Sequence, residues 1–404
     1  PLCRNFALWL DKSPVKADMT VLVFGDPQPK SMSDIAYYRQ DIVQPLAGNH
    51  DARLGISLGD IVHDNLRLLP EIKQVDKALN TPWLYVAGNH DLDFDAPDDA
   101  QSLETFRGEF GPDTFAWQEH AANFVVLDDV IYLPGAKPAY IGGLREAQFR
   151  FLQSFLESAD KAKLLVISAH IPFFQAAAGR ETFRAADRKR LFEMLKPFRD
   201  VLLLSAHSHT QSHVRHGPAT DWHGAGRLHE YNAGAACGGY WSGIKDAEGI
   251  PDAAMEDGTP NGYAKLVIAG GGNARQQPNQ AMALHAPKVL RQGSYPGFAV
   301  YANVFMARHD TVVEVRIDDG DWRPMDRVRQ ADPRVLAINA LDDASERLRA
   351  YDRMPEATDS THLWRFALPT GLSEGVHEIS VRARDEWLGT VQQDTRYELR
   401  KVVP

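Results

Sequence analysis

The chain has 404 residues, 44% of them hydrophobic and 24% charged, and its 44 Lys and Arg against 54 Asp and Glu leave a formal charge of −10. This composition excludes an intrinsically disordered chain, and the acidic balance argues against nucleic-acid binding through the phosphate backbone. No apolar stretch reaches the ~20 residues that cross a bilayer, so no membrane span is expected.

The chain opens on Pro1 rather than Met, and residues 1–17 read as the remnant of an N-terminal segment. A removed signal would place the protein in the periplasm or outside the cell; without one it is cytoplasmic. The two cysteines, Cys3 and Cys237, are too few for a disulfide framework or a cysteine zinc site, and their pairing is open.

Short apolar runs then alternate with amphipathic segments across residues 18–272. The runs lie at residues 21–24, 55–58, 83–87, 124–127, 164–168 and 201–205, and each is closed by small or polar residues, as buried strands are. Between two of them, Leu144, Ala147, Phe151, Phe155 and Leu156 recur at helical spacing and predict one apolar stripe. Strand–helix alternation predicts an α/β domain whose sheet is covered by helices. Residues 273–296 mix Asn, Gln, Pro and Gly without periodicity and read as a linker.

Beyond it, residues 298–305 form a strand candidate, and Val313, Val315 and Ile317 alternate with charged residues before an Asp319-Gly320 turn signal. Ile379, Val381 and Ala383 alternate in the same way. Residues 297–404 therefore read as an antiparallel β-sandwich, interrupted at 332–360 by a polar, partly helical insertion. Its strand ends carry no cluster of metal-binding residues, so it is expected to be accessory.

The chemistry is concentrated in the first region, where 11 of the 15 histidines lie between His50 and His229. Five of the six runs there end in donor residues: Asp26 and Gln28, then Asp60, then Asn89-His90-Asp91, then His170, then His207 and His209. Ligands at neighbouring strand ends converge on one rim of a sheet, where α/β domains place their sites. Small residues before each donor let the backbone approach an ion closely. Mixed oxygen and imidazole donors suit manganese, iron or zinc rather than calcium. Asp26, Gln28, Asp60, Asn89, His170, His207 and His209 are too many for one ion. With Asp60 bridging, they divide into two four-ligand shells about 3.5–4 Å apart.

This order of motifs closely resembles the calcineurin-like metallophosphoesterases, in Gly59-Asp60, Gly88-Asn89-His90-Asp91 and His207-Ser208-His209 above all. It departs from them at Gln28, where most members have His and a D-P-Q subset has Gln; at His63, where a second Asp is expected and Asp64 follows; and at Ala206, in place of Gly. The resemblance implies two packed mixed β-sheets flanked by helices, rather than one doubly wound sheet, with the C-terminal β-domain that bacterial members carry. By position it implies that Asp26, Gln28, Asp60 and His209 hold one metal and Asp60, Asn89, His170 and His207 a second. His90 would face the substrate, oriented by Asp91.

The implied reaction is phosphoester hydrolysis by a hydroxide shared between two divalent or trivalent ions, with His90 protonating the leaving oxygen. A non-catalytic metal-binding module is the rival reading, and the intact His90-Asp91 pair favours the enzyme. His63, Asp64, Tyr240, Trp241 and Tyr263 are candidates for the substrate wall; the aromatics read equally as loop anchors. The motifs bring no Lys or Arg to grip a dianion. The expected substrate is therefore a phosphodiester or a bulky organic phosphoester, such as a nucleotide or lipid headgroup, with a phosphomonoester as the alternative. Sequence-specific nucleic acid is not expected as a partner.

Overall fold

The computed structural model describes residues 18–174, 181–269, 273–278, 281–295, 297–305, 307–346, 353–385 and 389–401. The expected N-terminal remnant, with Cys3, lies outside them. The first region forms β1 (Met19–Phe24), β2 (Leu54–Leu58), β3 (Trp83–Val86), β4 (Phe115–Gln118), β5 (Ala122–Val126), β6 (Val130–Tyr132), β7 (Tyr140–Gly142), β8 (Leu164–Ser168), β9 (Asp200–Ser205), β10 (Ser212–Arg215), β11 (Arg227–Asn232), β12 (Ala264–Ala269) and β13 (Asn273–Pro278).

These strands make two mixed sheets, ordered β13-β12-β1-β2-β3 and β10-β11-β9-β8-β5-β4, with β6 and β7 as a separate ladder. Side chains alternate between the faces of each strand. Val21, Val23, Ile56 and Leu58 meet Phe124, Val126, Val166 and Leu202 in the layer between the sheets. Leu22 and Phe24 turn the other way, toward Ile35 and Ile72 of helices Met32–Tyr37 and Leu69–Asp76. Leu165, Ile167 and Leu203 face outward to Leu152 and Phe192, on helices Glu146–Ser158 and Ala185–Leu195. Two packed sheets flanked by helices is the architecture the resemblance implies.

The helical stripe is shifted from its expected phase. Helix Glu146–Ser158 buries Phe149, Leu152 and Leu156, while Ala147 is exposed. Phe151 and Phe155 flank the buried face and stack on each other at 6.3 Å.

The second region contains β14 (Met282–His285), β15 (Val289–Arg291), β16 (Ala299–Val304), β17 (Val312–Ile317), β18 (Arg323–Pro324), β19 (Asp326–Ala331), β20 (Asp359–Ala367), β21 (Gly375–Asp385) and β22 (Gly389–Arg400). Its sheets, β14-β16-β20-β19 and β15-β22-β21-β17-β18, are antiparallel apart from the short β15–β22 pairing. Val300, Ala302 and Trp364 of one meet Val315, Ile379 and Val381 of the other. Helix Pro333–Asp343 occupies the expected insertion.

The linker reading of residues 273–296 is overturned, because β13, β14 and β15 fall within it. All three are edge strands. β13 reads Asn-Ala-Arg-Gln-Gln-Pro, and β14 and β15 are four and three residues long, too short to show a period.

In the first region, Arg145 grips two carboxylates. Its Nε and Nη2 bind Asp99 at 2.5 and 2.6 Å, and its Nη1 binds Asp128 at 2.6 Å. Asp128 is buried, and burial pushes its carboxyl up to about 6 despite the guanidinium. Arg145→Leu is expected to lower the unfolding free energy by about 3 kcal/mol in urea titration, because a buried carboxylate loses its partner. Arg190→Leu, whose Glu146 partner is exposed, should change it little.

Candidate metal centre

β1, β2, β3, β8 and β9 all end at one rim, and there the backbone turns sharply. Asp26, Gln28, Asp60, His207 and His209 hold positive φ, from +39° to +69°. Left-handed backbone costs a residue with a Cβ about 1–3 kcal/mol, and such strain gathers at functional sites. Glycine allows the closest approach. A Cβ on Gly88 would stand 2.0 Å from the Asp60 nitrogen, and one on Gly59 would stand 2.5 Å from His170 Nδ1.

The turns bring the seven expected donors together. Ligand atoms of Asp60, His170 and His207 lie within 4.8 Å of one another. His170 Nε2 is 3.3 Å from Asp60 Oδ1, 3.1 Å from Asn89 Oδ1 and 3.2 Å from His207 Nδ1. His209 Nε2 is 3.8 Å from Asp26 Oδ1, and Gln28 Nε2 donates to Asp60 Oδ2 at 3.3 Å. Backbone carbonyls fix two of the imidazoles. His170 Nδ1 donates to Leu58 O at 2.8 Å and His209 Nδ1 to Gly238 O at 2.7 Å. Each ring is thereby held with Nε2 turned to the cluster, which is how metal-ligating histidines are oriented.

The electrostatics fit a cation. Burial pushes Asp26 up to about 8, while the neighbouring imidazoles, His170 foremost, overcome burial to hold Asp60 below the usual carboxylate range. His170 is raised to about 10, since the Asp60 charge outweighs its burial, whereas burial lowers His207 to about 3 and His209 to about 4. Two buried carboxylates here call for positive charge, and the neutral imidazoles of His207 and His209 supply lone pairs for a cation.

The surrounding residues depart from expectation in three places. Asp91 does not orient His90. It is fully buried and accepts from the N–H groups of Gly88, Ile61 and Val62 at 2.8, 3.0 and 3.1 Å, tying the Asp60 and Asn89 turns together. Asp64 is the partner of His90, with Oδ1 2.7 Å from Nδ1. Burial works against protonation of His90, but this bond outweighs it and raises the pKa. His63 stacks on His90 at 4.4 Å, and Tyr240 stands edge-on to His63 at 5.9 Å and 4.4 Å from the His209 ring.

Trp241 and Tyr263 do not join this rim. Trp241 is buried and donates to Pro27 O at 2.8 Å, and Tyr263 packs on Phe24 at 5.7 Å, so both act as anchors. Sequence reading passed over two contributors. Lys30 reaches the rim, its ammonium 5.4 Å from the Tyr240 ring centre. Asp129 accepts from the N–H groups of His170 and Ile171 at 3.0 Å each, and its signal was the acidic pair closing the run at 124–127.

The fold and this donor set define a metal-dependent phosphoric ester hydrolase. The chain belongs to the calcineurin-like phosphoesterase family: the model "Calcineurin-like phosphoesterase" matches residues 19–211, and "C terminal of Calcineurin-like phosphoesterase" matches 230–390. The family implies two metal ions. Among solved structures, a dimetal phosphatase from Danio rerio is similar at 13% identity and a TM-score of 0.45, over 64% of this chain and 95% of that one. Purple acid phosphatase PPD1 from yellow lupin (Lupinus luteus) seeds is similar at 11% identity and a TM-score of 0.39, over 95% of this chain and 54% of that one. No significant match was found among curated proteins.

Gly88→Ala is expected to push the Asp60 turn aside, because the atom in its way is backbone. Elemental analysis after manganese loading should then find less metal per chain than in the wild type, with a circular dichroism spectrum unchanged.

Proposed function

We propose that the chain hydrolyses phosphodiesters, or phosphoesters bearing a bulky organic group, with His90 donating the proton to the leaving oxygen. Asp26, Gln28, Asp60 and His209 would hold one ion and Asp60, Asn89, His170 and His207 the other, drawn from manganese, iron or zinc. When bound, such ions polarise phosphoryl oxygens and make a water acidic enough to lose its proton near neutral pH.

The residues do the rest. Asp64 holds His90 Nδ1, which leaves Nε2 as the ring atom for the substrate, and the raised pKa keeps a proton available. His63, stacked against His90, limits the ring's rotation. The observation that carries the substrate class is the aromatic rim of His63 and Tyr240 beside the donors. A second substituent on phosphorus can lie against that rim, and a simple dianion has no use for it. Lys30 over Tyr240 adds a cation suited to an anionic or electron-rich group on that substituent. The same ammonium is what favours the alternative, a monoester, and one comparison separates them. With manganese added, kcat/KM should be higher for bis-p-nitrophenyl phosphate than for p-nitrophenyl phosphate; a large preference for the monoester would reverse the assignment.

The proton donor makes its own prediction. His90→Ala should retain metal and lose about 10²–10⁴-fold in turnover on esters with poor leaving groups, and less on p-nitrophenyl esters, which need little protonation. Asp64→Asn should follow the same pattern more weakly. An equal loss on both ester types would remove His90 from the acid role.

A further inference from the structure

The C-terminal sandwich is joined to the metal centre by a buried polar chain. Asp257, in the segment between β11 and β12, is 2% exposed, and its Oδ2 accepts from the N–H of Gln211 at 3.0 Å, two residues beyond His209. The same Oδ2 lies 3.1 Å from Nε2 of His362, a residue of β20 that is 1% exposed. Asn303 of β16 donates through Nδ2 to Asp257 O at 2.9 Å and to Asp332 Oδ2 at 2.8 Å. With that nitrogen committed to two acceptors, Asn303 Oδ1 is the atom 2.5 Å from His362 Nδ1. Both ring nitrogens of His362 therefore face oxygen atoms, Nε2 that of Asp257 and Nδ1 that of Asn303.

The joint is close-fitting on the other side of His209 as well. Gly238, whose carbonyl accepts from His209 Nδ1, precedes Gly239, which donates to Ala253 O at 3.1 Å. A Cβ on Gly239 would stand 2.9 Å from Pro355 Cδ, and one on Gly258 would stand 2.7 Å from Asn303 Nδ2. Ala254 shares a small apolar cluster with Val335 and Met354 of the sandwich insertion.

The geometry points to His362 and Asp257 as positioning residues for the metal centre: the sandwich holds His209 in place through Asp257 and the Gln211 backbone. The proposal differs from the expectation of an accessory region. The inference rests on His209 being a metal ligand, as proposed above. Side chains that orient ligands typically contribute 10–100-fold to metal affinity.

The test titrates the metal-free full chain with manganese by calorimetry and records the visible spectrum of the cobalt-loaded protein. His362→Ala and Asp257→Asn should weaken one of the two manganese sites about 10–100-fold and alter the cobalt bands. His362→Gln, which keeps one donor toward Asp257, should recover part of both. Arg334→Ala removes another bridge between the same regions, to Asp252, without touching this chain, and should bind manganese as the wild type does. A folded His362→Ala with wild-type affinity and spectrum overturns the proposal. If that variant does not fold, Asp257→Asn and His362→Gln decide by the same readings, and failure of all three to fold would mark the chain as a folding element and overturn it too. Absence of manganese binding in the wild type would instead remove the metal assignment beneath it.

Discussion

Asp26 and Asp60 are both buried at the end of adjacent parallel strands, with His209 Nε2 3.8 Å from the first carboxylate and His170 Nε2 3.3 Å from the second. Bringing two such groups into a dry rim without opposing charge is costly, and the surrounding structure is organised around that cost. The imidazoles of His170, His207 and His209 close around the pair. Leu58 O and Gly238 O hold two of those rings by their Nδ1 atoms. Asp91 takes up N–H groups of the Asp60 and Asn89 turns and Asp129 those of His170 and Ile171, while five of the seven donors hold positive φ. Cation binding, ring orientation and backbone strain are aspects of one arrangement.

Burial changes steeply across the site. Asp26, Gln28, Asn89 and His170 are almost wholly enclosed, with Cys237 packed 3.8 Å from Gln28 Oε1. On the opposite side His63, His90 and Tyr240 are half-buried, and Asp64 and Lys30 are exposed. On the proposed reading, a substrate would approach over the His63–Tyr240 rim and present its leaving group to the His90 side, and the organic part of the ester would stay near water.

The convergence of these side chains was legible in the sequence because few residue types bind metals and each followed a short apolar run, a coincidence that turns alone do not produce. The two-sheet packing was not legible from alternation, since a buried strand reads the same in one sheet as in two; the family resemblance supplied it. The family pattern, carried over by position, implies Asp91 as the residue that orients His90, but a motif does not show which side chain holds the ring. Neighbouring residues in a tight turn diverge, and Asp64, 26 residues away, reaches the ring instead. Trp241 and Tyr263 show the ambiguity of aromatics, which serve equally as walls and as anchors. The Asp257–His362 contact, 105 residues apart, leaves no local pattern at all.

The order of strands in the first sheet also bears on how the chain is made. β1 lies between β2 and β12, and β12 is synthesised more than 200 residues after it. As the chain leaves the ribosome, β1, β2 and β3 can pair at once, but the other edge of β1, Met19 to Val23, stays open until residues 264–268 emerge. An apolar strand with an unpaired edge is a template for another chain. A nascent chain presents that open edge until residues 264–268 emerge, and a fragment ending at residue 211 would retain it permanently.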